Sequence, residues 1–517
     1  MGNQIVDKQI NIHIVPFVYG CSFEDAKELM NLKCQNQYWR KEDFKDLNLY
    51  QHIKNLIRSK NNTDSTIGKR YVMGTKGRSK LYDLPNNEKY KMDYTNKDGS
   101  RFKIVIKSVE LFLFETQIGF ITFDIRYENE FGNETDLDSI INNNYNISHL
   151  YLKNNKIEYQ RNINKEESYN VEISLLDIIH KILSDFNIKT YFDNSRNLIS
   201  PRRTLVYSHA LMKEKMLDEE MGKKLFEMRR VFKKSYKPSN SQLTIQDNEE
   251  VIQLFENYYW GISQEGICSI AYYTEDNNTN IFFKDNYVSK VKNSYLYMYI
   301  LILHIKYSLL YFSLLSSELP STVKECSNLE KIEDSSKIRV SQLKEWIVFF
   351  RLRCIFRDVS NIKHQNVLYQ NIWKVYNLES LLDELDSQIR ALSLMTDIEM
   401  NNENYINKIK QQDIESKKEQ YRMKLDKKNS DLVVFITVIF TTITTLGSIE
   451  DISKYIHKIV NKILKLLNKE VLTLNDTKYI ELTLLILIVV LISKLLINNN
   501  KYWKKLKSLT ETDNEVQ

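Results

Sequence analysis

The residues whose types and spacing could do chemistry are, first of all, hydroxyls. Thr437, Thr441, Thr444 or Thr445, and Ser448 recur every three or four positions through an uncharged stretch, 432–449. On a helix they share one face. In a ring of identical chains that face would stack rings of hydroxyls with no fixed charge, a weakly selective lining for a wet pore. The same hydroxyls could equally bond back to their own helix carbonyls or act as glue between helices. Gly447 would permit a bend at the pore mouth or cap the helix. Glu450 and Asp451 would place an acidic ring at that mouth, where it would attract cations.

A second chemistry is the gripping of phosphates. The segment 68–80, GKRYVMGTKGRSK, is rich in glycine and basic side chains, among them Lys76 and Arg78, but it is not a Walker loop. Pro201-Arg202-Arg203 and Arg229-Arg230 with Lys233-Lys234 are further basic clusters. Arginine can hold a phosphate with two parallel hydrogen bonds, and an aromatic such as Trp260 can stack an adenine. A solvated surface run accounts for such clusters equally well.

Enzymatic signatures are missing. There is no His-Glu-x-x-His, no Gly-x-Ser-x-Gly and no Gly-x-Gly-x-x-Gly, and the eight histidines are scattered. Asp383, Glu384 and Asp386 fall on a helical pattern and read as solvated charge. The expectation is a protein that is not an enzyme; a hydrolase without a motif in the first half is an alternative. No set of metal ligands can be assigned.

Two apolar segments near the end position the hydroxyls. The first, about 431–449, holds them; the second, about 480–497, is broken only by Glu481 and Lys494. Each is close to the shortest helix that crosses a hydrocarbon core of about 30 Å. Lys494 can snorkel, and Tyr502 and Trp503 among Lys501, Lys504, Lys505 and Lys507 make an interfacial anchor of cytoplasmic type. A hairpin with both termini on the cytoplasmic side follows, in the inner (plasma) membrane. Between the spans, 450–479 carries Ile452, Ile456, Ile459, Ile463 and Leu467 among lysines, an amphipathic helix suited to the outer interface.

The remainder is water-soluble in character. Mean hydropathy is negative overall. The net charge of +6 over 517 residues argues against a dedicated nucleic-acid binder. The N-terminus lacks the features of a secretory signal, and Val6 stands where myristoylation would want Ser or Thr. Five cysteines, far apart and without Cys-x-x-Cys, read as reduced thiols.

Punctuation divides the chain. Residues 321–446 contain neither glycine nor proline, which predicts helix throughout; the first half is mixed. A strand is expected over 9–15, ending at Pro16. Two strands are expected within 101–127 around a turn at 115–119, and helices over 23–34 and 171–186. The Asn-rich stretches 61–65, 142–146 and 274–280 read as loops. The apolar run in 293–319 is too short for a span and predicts a core helix. Leu382, Leu385, Ile389 and Leu392 form a short coiled-coil seam, and 401–430 a solvated stalk helix. The fold class is α+β: a cytosolic α/β sensor domain with a mainly antiparallel sheet (1–290), a helical domain and stalk (291–430), a transmembrane hairpin (431–500) and a basic tail (501–517).

This arrangement resembles the CorA family of two-span membrane proteins, best over 290–507, with HIKYSLLYFSLLSSEL (304–319) and IWKVYNLESLLDELDSQIRALS (372–393) as its local echoes. The resemblance implies a homo-oligomer, a pentamer, whose first span lines a pore. Gly447-Ser448-Ile449 replaces the family's Gly-Met-Asn, and the outer loop is long, both of which depart from its magnesium transporters. IHIVPFVYG (12–20), VELFLFETQIGFITFDIRY (109–127) and YYWGISQEGICSIAYY (258–273) are similar to the CorA-like proteins encoded beside type III CRISPR systems. That branch implies an antiviral effector opened or altered by a small adenine-nucleotide messenger, a conjugate of S-adenosylmethionine and AMP. A divalent cation (magnesium) transporter is the alternative function, and a divalent cation the alternative ligand. The partners expected are the bilayer, further copies of the chain and the nucleotide; direct contact with nucleic acid is not expected.

Overall fold

The computed structural model describes residues 4–44, 48–57, 66–95, 101–129, 135–151, 156–162, 168–193, 196–198, 200–232, 237–246, 248–326, 333–445 and 449–466, with 486–487, 490, 493–494 and 497. They fall into two compact units, Met1–Ser393 and Leu394–Gln517.

In chain order the first unit contains β1 Val6–Tyr19, α1 Phe23–Gln35, β2 Trp39–Glu42, α2 Gln51–Ile57, β3 Gly68–Met73, α3 Thr75–Lys80, β4 Met92–Thr95, β5 Arg101–Phe114 and β6 Ile118–Glu128. Then come α4 Leu137–Ser148, β7 Lys156–Asn162, β8 Ser168–Ile173, α5 Leu175–Leu183, β9 Ile188–Asp193, β10 Arg196–Leu198, β11 Leu205–Met212, α6 Asp218–Arg230 and α7 Asn240–Leu243. After β12 Val251–Phe255, β13 Tyr258–Ile262 and β14 Gly266–Tyr272 the chain turns helical. The helices are α8 Asn277–Ile281, α9 Val288–Lys290, α10 Leu296–Cys326, α11 Glu333–Cys354, α12 Lys363–Val375 and α13 Leu378–Thr445, the last reaching into the second unit. Two π-helical stretches, Phe282–Tyr287 and Val291–Tyr295, lead into α10. The second unit adds α14 Ile449–Leu466.

The 14 strands form one sheet in the order β12-β13-β14-β11-β1-β6-β5-β4-β7-β8, with β3 and β2 branching from β5, and β9 and β10 from β1. Its ladders are antiparallel except for β11 against β14. Strict alternation in β6 sends Ile121, Phe123, Ile125 and Tyr127 to one face and Ile118 and Phe120 to the other. The first face is covered by α1, α4, α5 and α6, the second by α2, α10, α11, α12 and the start of α13. The protein is therefore α+β, with the sheet as the middle of three layers.

The expected core helix is borne out. Asn277–Glu318 is long and apolar enough to cross a membrane, but most of it is buried against the sheet. The expected seam of Leu382, Leu385, Ile389 and Leu392 packs into this same core.

Several local expectations change. β1 does not end at Pro16. Tyr19 N–H donates to Gln117, so odd-numbered residues aim their N–H at β6 and Pro16 aims the other way. On that side β11 stops at Ile14 and β9 starts at Phe17, so no ladder bond is lost. The turn after β5 is tighter than expected, Glu115–Gln117, with Gln117 at φ 64°. Residues 171–173 finish β8, and Ser174 caps α5 by accepting the Asp177 N–H. The 142–146 asparagines are helical, inside α4, because they are buried and bonded: Asn144 accepts from the Tyr127 hydroxyl at 2.8 Å and donates to Asn11 at 3.2 Å. The stretch 274–280 is loop only up to Asp276, which caps α8; 61–65 lies outside the described residues. The region after 321 is also not continuous helix. Residues 355–362 form a loop that bridges to Leu49, and Asn377, at φ 52°, separates α12 from α13 without any glycine.

Candidate functional site

Most of residues 404–430 of α13 are exposed, as a solvated stalk requires, with Leu425 the buried exception. Beyond Asp431 the exposed surface turns apolar: Val433, Val434, Val438 and Phe440 are each 56–65% exposed. Leu432, Ile436 and Ile439 are half-buried on the opposite side. Thr437, Thr441 and Thr444 lie on the exposed side, and each hydroxyl donates within its own helix. Thr437 reaches the Val433 carbonyl at 2.7 Å, Thr441 that of Thr437 at 2.7 Å, and Thr444 that of Phe440 at 2.9 Å. Of the readings open from sequence, back-bonding is therefore present, and it leaves the oxygen lone pairs outward. Thr445 is helical, as is Glu450 in α14; Asp451 is exposed; Gly447 and Ser448 lie outside the described residues.

α14 is amphipathic as expected, with Ile459 and Ile463 exposed beside Lys458 and Lys462. Of the second apolar segment, Ile486, Leu487, Val490 and Ile497 are helical and 53–70% exposed. The rest of that segment and the basic tail, with Tyr502 and Trp503, lie outside the described residues.

The expected ligand residues are not brought together. Trp260 is fully buried in β13, packed at 5.4–5.8 Å from the rings of Tyr258 and Tyr295, so it cannot stack a base. Arg78 is also a core residue: Nε donates to the Pro85 carbonyl and Nη2 to that of Ile106, both at 2.9 Å. Its fork is occupied by backbone. Gly77 explains why Arg78 dips inward, since a Cβ there would stand 2.2 Å from the Tyr38 carbonyl. Lys76 stays near the surface with its ammonium over the Tyr38 ring. Arg202 is exposed, and Arg203 pairs through its backbone with His149. Arg229 is completely buried, bound to Glu250 and the Gln242 carbonyl.

A groove of about 700 Å³ lies elsewhere, between α1 and α5, walled by Tyr38 and Tyr82. Lys33, His180 and Lys181 line it, but the lysines are already neutralised: Lys33 by Asp185 at 2.8 Å and Lys181 by Asp83 at 2.7 Å. The groove offers flat aromatic surface rather than free charge. Sequence reading missed it because the two helices that frame it, α1 and α5, are separated by more than a hundred residues, and no motif marks either.

Buried titratable groups serve the core. Burial pushes His13, His209 and His304 down to about 3, so all are neutral at physiological pH. His13 bonds to Thr204 and Tyr127, His209 to Ser269, and His304 to Thr116 while stacking on Phe114 at 4.0 Å. Lys306, on α10, is 3% exposed; its ammonium donates to Gln264 Oε1 at 2.6 Å and lies 4.3 Å from the Tyr376 ring centre. Among the described residues no three His, Cys, Asp or Glu side chains converge as a metal site.

No protein-family model matches the chain, and no curated protein matches it.

Proposed function

We propose that the chain is a ligand-responsive membrane effector of CorA-like architecture, anchored by a two-span hairpin and gated from its α+β unit. The observation that carries this reading is the outer part of α13. An uncharged helical stretch exposes Val433, Val434, Val438 and Phe440 while the hydroxyls of Thr437, Thr441 and Thr444 donate within their own helix. In water each such apolar side chain forgoes about 1.5–3 kcal/mol of burial; a bilayer removes that cost and leaves the Thr437, Thr441 and Thr444 hydroxyls with their helix partners.

One chain presents one threonine stripe, and a pore needs several, so the effector is a homo-oligomer, a pentamer by resemblance. The stalk helix passes a change in the packing of the α+β units to the threonine-bearing segments, a population shift driven by ligand. The ligand is a small adenine nucleotide of the S-adenosylmethionine–AMP type, and the role an antiviral one at the inner membrane, with both termini cytoplasmic. The test is ion flux through purified protein in liposomes, with and without adenine nucleotides. Flux that needs nucleotide supports the effector. Magnesium flux without nucleotide replaces it with a divalent-cation transporter.

A further inference from the structure

Two of the sheet's irregularities fall together where β1, β5 and β6 meet; the others lie at Val18–Tyr19 and at Gln253–Phe255. β5 carries a bulge between Ile106 and Ser108, so Lys107 is an extra residue opposite β6. β1 shifts register between Val6 and Lys8. β1 and β6 stop pairing after Ile12–Asp124, and the Gln9 side chain replaces the ladder, accepting the Tyr127 N–H at 3.0 Å and donating to its carbonyl at 2.8 Å. Over this opening passes the π-helical stretch Val291–Tyr295, a geometry that often marks function.

The side chains gathered there are cationic. Ile10, Ile12, Phe112 and Phe120 fix which face of the sheet lies under α10, and alternation puts Lys8, Asp124 and Arg126 on it, with bulged Lys107 beside Ser108. Lys292 comes from the π-helical stretch above and pairs with Asp124 at 2.6 Å. Arg126 donates through Nη2 to Glu128 at 2.6 Å, but Glu128 is shared with Lys91 at 2.6 Å. The buried Nε of Arg126 meets no acceptor among the described residues. Burial lowers the Lys107 pKa; Asp124 opposes this, while Lys292, Arg126 and Lys8 add to it. Two buried carboxylates, Asp124 and Glu128, thus face five cations: Lys8, Lys107, Arg126 and Lys292, with Lys91 on Glu128. This contrasts with the groove between α1 and α5, where the lysines are neutralised.

We propose that Lys8, Lys107, Arg126 and Lys292 form a binding site for the phosphate groups of a small soluble ligand, with Asp124 positioning Lys292. Two or more phosphate oxygens would give Arg126 Nε its missing acceptor and offset the mutual repulsion of the lysines. The inference rests on the proposed response to a nucleotide only for the identity of the ligand; the anion site stands on its own residues.

The experiment is calorimetric titration of the full chain in detergent with inorganic pyrophosphate, for the wild type, Lys107→Met and Arg126→Met, with Lys374→Met as control. The wild type binds; each of the two site variants weakens binding about tenfold or more, since each removes a charge-assisted contact; the control does not. Met keeps the stem of Lys107 and removes an ammonium that burial disfavours, so Lys107→Met folds with unchanged or higher Tm, whereas a merely structural lysine would lower it. Absence of pyrophosphate binding, or equal affinity in wild type and both variants, overturns the site. Vesicles of phosphatidylglycerol form a separate arm: binding of vesicles that depends on Lys107 while pyrophosphate does not bind overturns the soluble ligand. Nucleotide-dependent flux that survives in Lys107→Met and Arg126→Met sinks this site and leaves the effector; pyrophosphate binding without any flux sinks the effector and leaves the site.

Discussion

Replacing Lys306 by methionine should stabilise the protein, and more so at neutral than at alkaline pH. Burial brings this ammonium from the usual 10.5 down to about 8, with Glu265 opposing the shift. The folded state therefore holds its proton less tightly than the unfolded chain does. Below about pH 8 both states are protonated and the full cost of burying the charge is present. Between about 8 and 10.5 the folded state gives up its proton first, the unfolded chain binds more protons, and stability rises with pH. At 1.36 kcal/mol per pH unit, that gap is worth about 3 kcal/mol. Met keeps the stem but deprives Gln264 Oε1 of its donor, at about 1 kcal/mol. A net gain of about 2 kcal/mol at pH 7 remains, vanishing or reversing above pH 10. The assay is urea unfolding of the full chain in detergent, followed by tryptophan fluorescence at pH 7 and pH 9.5. Taking the difference between variant and wild type cancels the titration of the buried tyrosines. Equal or lower stability of the variant at pH 7, with an unchanged pH slope, would refute the argument and show that the Gln264 and Tyr376 contacts outweigh desolvation.

Trp260→Ala should cost about 3–5 kcal/mol, because a fully buried indole leaves a cavity; thermal unfolding measures this, and a change in nucleotide affinity without loss of stability would contradict the core assignment. Asn144→Leu breaks a buried network joining α4 to Asn11 and Tyr127 and should lower stability by about 1–3 kcal/mol, read by the same unfolding curve. Thr441→Val removes a hydroxyl whose proton already serves its own helix, so stability should change by no more than about 1 kcal/mol, while nucleotide-dependent flux in liposomes should fall as the lining dries.

Where periodicity was strong and local, the fold was legible. The strand pair within 101–127, the helix over 23–34 and the buried character of the apolar run in 293–319 follow from alternation, helical spacing and the short length of the run; the Ser22 cap that starts the helix emerged only with the structure. Where tertiary contacts decide, composition misled. The asparagines of 142–146 look like a loop, yet burial against β1 and β6 holds them helical. Asn377 breaks a helix because asparagine tolerates a left-handed backbone, a possibility that counting glycines and prolines overlooks. Site residues were the hardest. Trp260 and Arg78 carry the right chemistry but sit in the core, since a residue's type does not say which face of a strand, for Trp260, or of a short helix, for Arg78, it takes. The four-cation cluster was invisible because it depends on a bulge, on a splayed ladder and on Lys292, which lies far away in sequence.

The environment of α13 beyond Asp431 decides the account. Spin labels placed singly at positions 433, 434, 438 and 440, and at 437, 441 and 444, in protein reconstituted into liposomes would report access to oxygen, which concentrates in lipid, and to a water-soluble nickel chelate. The account predicts oxygen access at the valine and phenylalanine positions, highest at 438, and nickel access that peaks at the threonine positions between them. Exclusion of both reagents from every position would mean a helix buried in protein, and would contradict the membrane reading.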